Sequence, residues 1–161
     1  MSDKDARMSF VASGGSFEGL DQFEQELYPQ LSVLLGIQIS SAMDLARAKE
    51  SLLPFQVVLR VEAFTDGLVD PRWLLVNGSR FRRNRKHGYL SREDSERVIL
   101  LAIAIVHASV AFGSKEKALR WLQRIHPKLS KDVTPLQLCI TKDGFLQVTE
   151  RLYSIEHGFA A

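Results

Sequence analysis

The run Asp70-Pro71-Arg72-Trp73-Leu74-Leu75-Val76-Asn77-Gly78-Ser79-Arg80-Phe81-Arg82-Arg83-Asn84-Arg85-Lys86-His87-Gly88 decides how this chain is read. Asp70 before Pro71 is a helix-start pair: the carboxylate suits the N-cap, and proline at the first helical position lacks an N–H that would have no partner there. The helix it opens can run only to Val76, because Asn77-Gly78 is a turn dipeptide. Ser79 can cap a second short helix, Arg80 to His87, and Gly88 ends it. Two short helices about a glycine turn, the second dense in arginine, make a helix-turn-helix pattern over residues 70–88. The cations fall on the helix that would enter a major groove.

The charge around this stretch is segregated. Residues 1–70 hold 11 acids against 5 bases, residues 71–92 hold seven bases and no acid, and residues 93–161 hold 8 acids against 9 bases. A near-neutral chain with a net charge of +2 thus concentrates its cations where the pattern places a DNA-reading helix. Acids at helical spacing, which normally accompany a solvated basic face, are missing from it. An external polyanion is therefore the favoured partner of Arg80, Arg82, Arg83, Arg85 and Lys86, with a plain solvated face as the alternative. Arginine forks can also read guanine edges.

Outward from the basic helix the periodicity stays helical, and the chain reads as all-α. Met1 to Ser16 is polar and aperiodic, the composition of a disordered arm. Phe17, Leu20, Phe23, Leu27 and Leu31 mark one helical face, which Pro29 is expected to interrupt and Gly36 to close. A second helix is expected from Ser41 to Leu53, and a third over Phe55 to Phe64 with Gly67 as its left-handed stop. After the basic helix, Ser91 is a cap facing Asp94. The helix to Phe112 is apolar on far more than one face, as befits a core element or a dimer interface. Ser114 restarts a helix through Ile125, Thr134-Pro135 caps a short one over Leu136 to Ile140, and a last amphipathic helix runs from Lys142 to His157 with Gly158 as its stop. The organisation expected is an arm (1–16), an N-terminal helical region (17–90) containing the helix-turn-helix-like segment, and a small C-terminal helical domain (91–161).

The composition, 45% hydrophobic and 25% charged, is that of a soluble globular protein. The nearly charge-free stretch Val98 to Phe112 is short for a membrane span, the N-terminus lacks a signal-peptide core, and one cysteine permits no internal disulfide. A cytoplasmic protein without a membrane role is expected. His87, His107, His126 and His157 lie on separate elements without ligand spacing, so surface or helix-end positions are expected and no metal. Cys139 reads as a small buried hydrophobe. Gly113-Ser114-Lys115 lacks the upstream glycine of a phosphate loop, and Gly14-Gly15 has no strand before it. Trp73 and Trp121 read as core anchors. No nucleophile–base pair or cofactor motif is present, so catalysis is not expected. The terminal Phe159-Ala160-Ala161 is apolar beyond a helix stop; it either docks back on its own core or inserts into a partner's cleft.

Phe112-Gly113, Ala118, Trp121-Leu122, Pro127, Leu129, Thr134-Pro135-Leu136, Leu138, Gly144, Val148, Leu152, Ile155 and Gly158 follow an order and spacing that resembles the toxin-binding domain of Xre/MbcA/ParS-type antitoxins. Gly88-Tyr89-Leu90-Ser91 with Ser95-Glu96-Arg97 resembles the junction leading into that domain, which extends the resemblance over about Leu53 to Ala161. The resemblance implies an antitoxin of a type II toxin–antitoxin system whose partner is a RES-domain toxin that consumes NAD or transfers ADP-ribose from it. It implies that the C-terminal segment, with Tyr153, Glu156, His157, Gly158, Phe159, Ala160 and Ala161, blocks the toxin's active-site cleft. It also implies operator binding through the arginine helix and a hetero-oligomeric toxin–antitoxin complex; a homodimer is expected because the long apolar Arg92 to Phe112 helix and palindromic operators both favour twofold symmetry. A transcriptional regulator whose C-terminal domain only dimerises is the alternative.

Overall fold

The computed structural model describes residues 21–75 and 78–158. The expected arm over residues 1–16, the helical positions Phe17 and Leu20, the turn residue Asn77 and the terminal Phe159 to Ala161 lie outside them. The described residues form nine α-helices, in keeping with the all-α reading: α1 (Asp21–Leu35), α2 (Ala42–Glu50), α3 (Gln56–Phe64), α4 (Pro71–Leu74), α5 (Gly78–His87), α6 (Arg92–Phe112), α7 (Lys115–Leu122), α8 (Pro135–Leu138) and α9 (Lys142–Glu156).

The core is organised around α6. Every residue from Val98 to Ser109 is buried, and the helix packs against α1, α2 and α3 on the N-terminal side and α7 and α9 on the C-terminal side. Its 21 residues exceed the charge-free stretch, so by length and composition alone it could cross a membrane, yet 67% of its most apolar window is buried inside the fold. Ser91 caps it by accepting from the Asp94 N–H, and Gly113 closes it at φ 66°.

Caps and left-handed stops hold most of the expected boundaries. Asp70 accepts from the Arg72 N–H, Ser114 from Lys117, and Thr134 forms a reciprocal capping box with Gln137. Gly36, Gly67, Gly88 and Gly158 all adopt positive φ at or beyond helix ends, where a Cβ would be strained.

Several boundaries differ from expectation. Pro29 does not interrupt α1; the helix passes through it. The proline is exposed, so the carbonyl it frees faces water, while Leu27, Tyr28, Leu31, Leu34 and Leu35 are buried against the core. Helix α2 stops at Glu50, not Leu53, because the following backbone is bonded elsewhere. The Leu53 N–H donates to Ser95 Oγ at 3.0 Å, Leu90 N–H donates to the Leu53 carbonyl at 2.8 Å, and Phe55 N–H to the Gly88 carbonyl at 2.9 Å. An isolated antiparallel bridge, Pro54 with Tyr89, thus ties the strand-like entry of α3 to the exit of α5. Helix α7 ends at Leu122, leaving Ile125 49% exposed. Ser79 is inside α5, which begins at Gly78. The Ile37 to Ser40 piece is irregular backbone held by Ser32, whose hydroxyl accepts from the Ile39 N–H at 2.9 Å.

Candidate functional site

Two regions carry the residues singled out from the sequence: the cationic helix α5 and the C-terminal end of α9. The amphipathicity of α5 is electrostatic. Phe81 packs edge-on against Phe55, with ring centroids 5.2 Å apart, and Asn84 is buried. These two positions with Arg80 occupy one helical face, and that face is turned to the protein. Arg82, Arg83, Arg85 and Lys86 are all exposed on the remainder, and among the described residues none of the four makes an ion pair. The structure therefore presents four of the five singled-out cations to solvent as one surface.

Arg80 is placed differently. Its guanidinium donates to Asp94 Oδ1 at 2.7 Å and to Glu93 Oε2 at 3.2 Å, and its side chain is only 23% exposed. The acids missing from α5 itself are supplied by the first turn of α6. Asn84 and Asp94 were not identifiable as functional from the sequence, since Asp94 carried only the signature of a first-turn acid. Nothing in its spacing pointed to a partner on the preceding helix.

At the other end of the fold, Phe145, Val148 and Leu152 bury α9 against α6. Tyr153 is also buried, with its ring 4.3 Å from that of His157. It therefore belongs to the body of the domain. Glu156 Oε2 lies 3.5 Å from His107 Nε2, joining the last turn of α9 to the C-terminal third of α6. His157 caps the helix and is exposed, and Gly158 at φ 73° turns the chain off the helix axis. Phe159, Ala160 and Ala161 lie outside the described residues.

The expectation that all four histidines occupy surfaces or helix ends fails for His107, which is 1% exposed within α6. The apolar residues on every side of it carry it into the core. His87 and His157 are exposed at helix ends, and His126 follows α7 with its ring stacked on Trp121 at 4.8 Å. Cys139 is buried as expected, and burial pushes its thiol far above the ordinary range. Among the described residues no three His, Cys, Asp or Glu side chains cluster as metal ligands. A further charged group, invisible in sequence, lines a recess between α2, α6 and α9. There Lys49, Glu96 and Lys142 meet above Leu100, Phe145 and Leu146, and Lys142 Nζ lies 3.2 Å from Glu96 Oε1.

Residues 107–158 match the family of antitoxin Xre/MbcA/ParS C-terminal toxin-binding domains. A curated relative, Antitoxin Xre of Pseudomonas putida, is 34% identical over 70 residues, which cover 44% of this chain and 43% of the relative. The chain thus spans less than half the length of that relative. The matched family is the one the residues resemble, over a shorter stretch than the resemblance reached.

Proposed function

We propose that this chain, whose residues 107–158 match the Xre/MbcA/ParS toxin-binding domains, is the antitoxin of a toxin–antitoxin pair and acts by binding, without chemistry of its own. The observation that carries this reading is the domain match itself. It opens at His107, whose Nε2 lies 3.5 Å from Glu156 two residues before the match closes at Gly158. The toxin is a RES-domain protein that consumes NAD or transfers ADP-ribose. The inhibitory element is the C-terminal segment from Glu156 onward, backed by the buried Tyr153, leaving α9 at Gly158 and blocking the toxin's cleft with Phe159, Ala160 and Ala161. Residues 91–161 serve as the toxin-binding part, and residues 17–90 carry the helix-turn-helix. The working form is a cytoplasmic homodimer that assembles with toxin.

A growth-rescue assay in cells expressing the RES-domain toxin tests this. Three forms are compared: the full chain, a chain stopped after Gly158, and one stopped after Ile155, each checked for helicity by circular dichroism. Rescue by the full chain and not by the folded chain ending at Gly158 assigns inhibition to the last three residues. Rescue by all three moves the contact onto the helical body. No rescue by any form overturns the antitoxin reading.

A second activity, operator binding, is favoured by the four exposed cations of α5. Each phosphate contact neutralised should contribute about −0.9 to the slope of log affinity against log salt. Reversing Arg82 and Arg83 to glutamate should abolish that binding and leave toxin neutralisation intact. An affinity for DNA that does not change with salt would remove this activity from the reading.

A further inference from the structure

The carboxylate of Asp94 stands in the first turn of α6, fully buried, and its partners come chiefly from another helix. Oδ1 accepts from Arg80 Nη2 at 2.7 Å, Oδ2 accepts from Asn84 Nδ2 at 2.8 Å, and Arg97 Nη1 lies 3.6 Å from Oδ1. Arg97 in turn donates to Glu93 at 2.6 Å. A buried carboxylate is tolerated only when its lone pairs are met by donors. Here two of the donors sit one helical turn apart on α5, so the carboxylate fixes both the place of α5 and its rotation about its own axis. Phe81, between them on the same face, is held by Phe55 as a third point. With that face pinned, Arg82, Arg83, Arg85 and Lys86 must point outward.

We propose that Asp94 is the positioning residue of the cationic helix, and that Arg80 acts through Asp94 and not on a phosphate. This rests on the operator-binding reading above. It also makes a prediction against simple electrostatics. Removing a negative charge beside a DNA-binding helix should strengthen binding by charge alone. A loss of affinity can then arise only from a misplaced helix.

The test uses the full chain, a duplex carrying the DNA immediately upstream of its own coding sequence, and a scrambled duplex of equal length, across a salt series. Asp94→Asn should bind the upstream duplex about tenfold more weakly, the worth of one well-aligned base contact. Its affinity for the scrambled duplex should hold or rise. Arg80→Gln should show a similar loss with an unchanged salt slope, whereas a phosphate contact would shift the slope by about 0.9. The double variant should lose no more than either single one, because both act on one contact. Hydrogen exchange on the same proteins should show α5 amides losing protection while those of α1 and α9 keep it.

Undiminished binding of the upstream duplex by Asp94→Asn, or a slope lowered by one contact in Arg80→Gln, would overturn the proposal. If the unaltered protein binds neither duplex, the operator reading falls and hydrogen exchange decides alone: selective exposure of α5 upholds the positioning role, and unaltered protection of α5 refutes it.

Discussion

Replacing Gly144 by alanine sets helix propensity against packing, and the geometry says packing wins. Gly144 is the third residue of α9, and its N–H donates to the Thr141 hydroxyl that caps the helix at 3.1 Å. A Cβ at this position would fall onto the backbone carbonyl oxygen of Leu138, with the carbonyl carbon 2.8 Å away and Thr141 Oγ1 at 3.0 Å. The obstacle is main chain, so no rotamer change relieves it. Nor can Leu138 swing aside cheaply, because Leu136 and Cys139 on either side of it are buried. In an unhindered helix, alanine would gain about 1 kcal/mol over glycine. Overpacking against a fixed neighbour costs about 1–3 kcal/mol, and disturbing the Thr141 cap adds about 1 kcal/mol. The net is a loss of about 2 kcal/mol, which for a chain of this size lowers the melting temperature by about 4–8 °C. Thermal unfolding followed by circular dichroism measures it. Gly78→Ala is the control: it lies in α5, nothing stands within 4 Å of its added Cβ, and its φ is not positive. That variant should melt unchanged or slightly higher. A Gly144→Ala protein as stable as the unaltered one would refute the claim that the approach of α8 to α9 requires glycine.

Thr134→Ala removes one half of the capping box on α8 and should cost about 1 kcal/mol in urea unfolding; an unchanged midpoint would show that the Gln137 half suffices. Burial lowers the pKa of Lys49 from its ordinary value of 10.5, against an opposing pull from Glu96. Between the folded and ordinary values the unfolded chain binds more protons, so stability climbs with pH through that window and the cost of burying the cation is borne in full below it. Lys49→Met should therefore raise the unfolding midpoint at neutral pH and remove that alkaline climb; a less stable variant at pH 7 would contradict the argument. Cys139 should resist a thiol reagent in the native protein and react once the chain is unfolded, and stoichiometric labelling of the native form would count against its burial.

Most of the helix ends were legible because they depend on short-range chemistry. Asp70, Ser91, Ser114 and Thr134 each cap within their own turn, and the glycines at 36, 67, 88, 113 and 158 satisfy a local backbone requirement. The features that escaped depend on residues brought together by packing. Proline at position 29 reads locally as a break, but whether α1 survives it is settled by the leucines buried around it. Within the helix expected from Ser41, the apolar Met43 is 62% exposed, because α2 turns Leu45 and Ala48 inward instead. The exposed part of the basic surface was readable as an excess of cations. Arg80 was not separable from the others, because its acids lie 13 and 14 residues further on, on another helix. The contact of His107 with Glu156 spans the whole C-terminal part and leaves no trace in spacing.

The central position of α6 has a consequence for how the protein is made. Synthesis runs from the N-terminus, so when α6 has just been completed its partners α1, α2 and α3 already exist, while α7 and α9 have yet to be translated. A polypeptide halted at Phe112 therefore carries a helix roughly 30 Å long with its C-terminal-side partners missing. Its length and apolar composition are those that membrane-insertion machinery accepts. Completion of α7 and α9 removes that exposure, because the stretch that matches the toxin-binding domain family also closes the core. Premature termination anywhere between Phe112 and Lys142 should accordingly yield aggregates or membrane-associated fragments, and not a shorter folded protein.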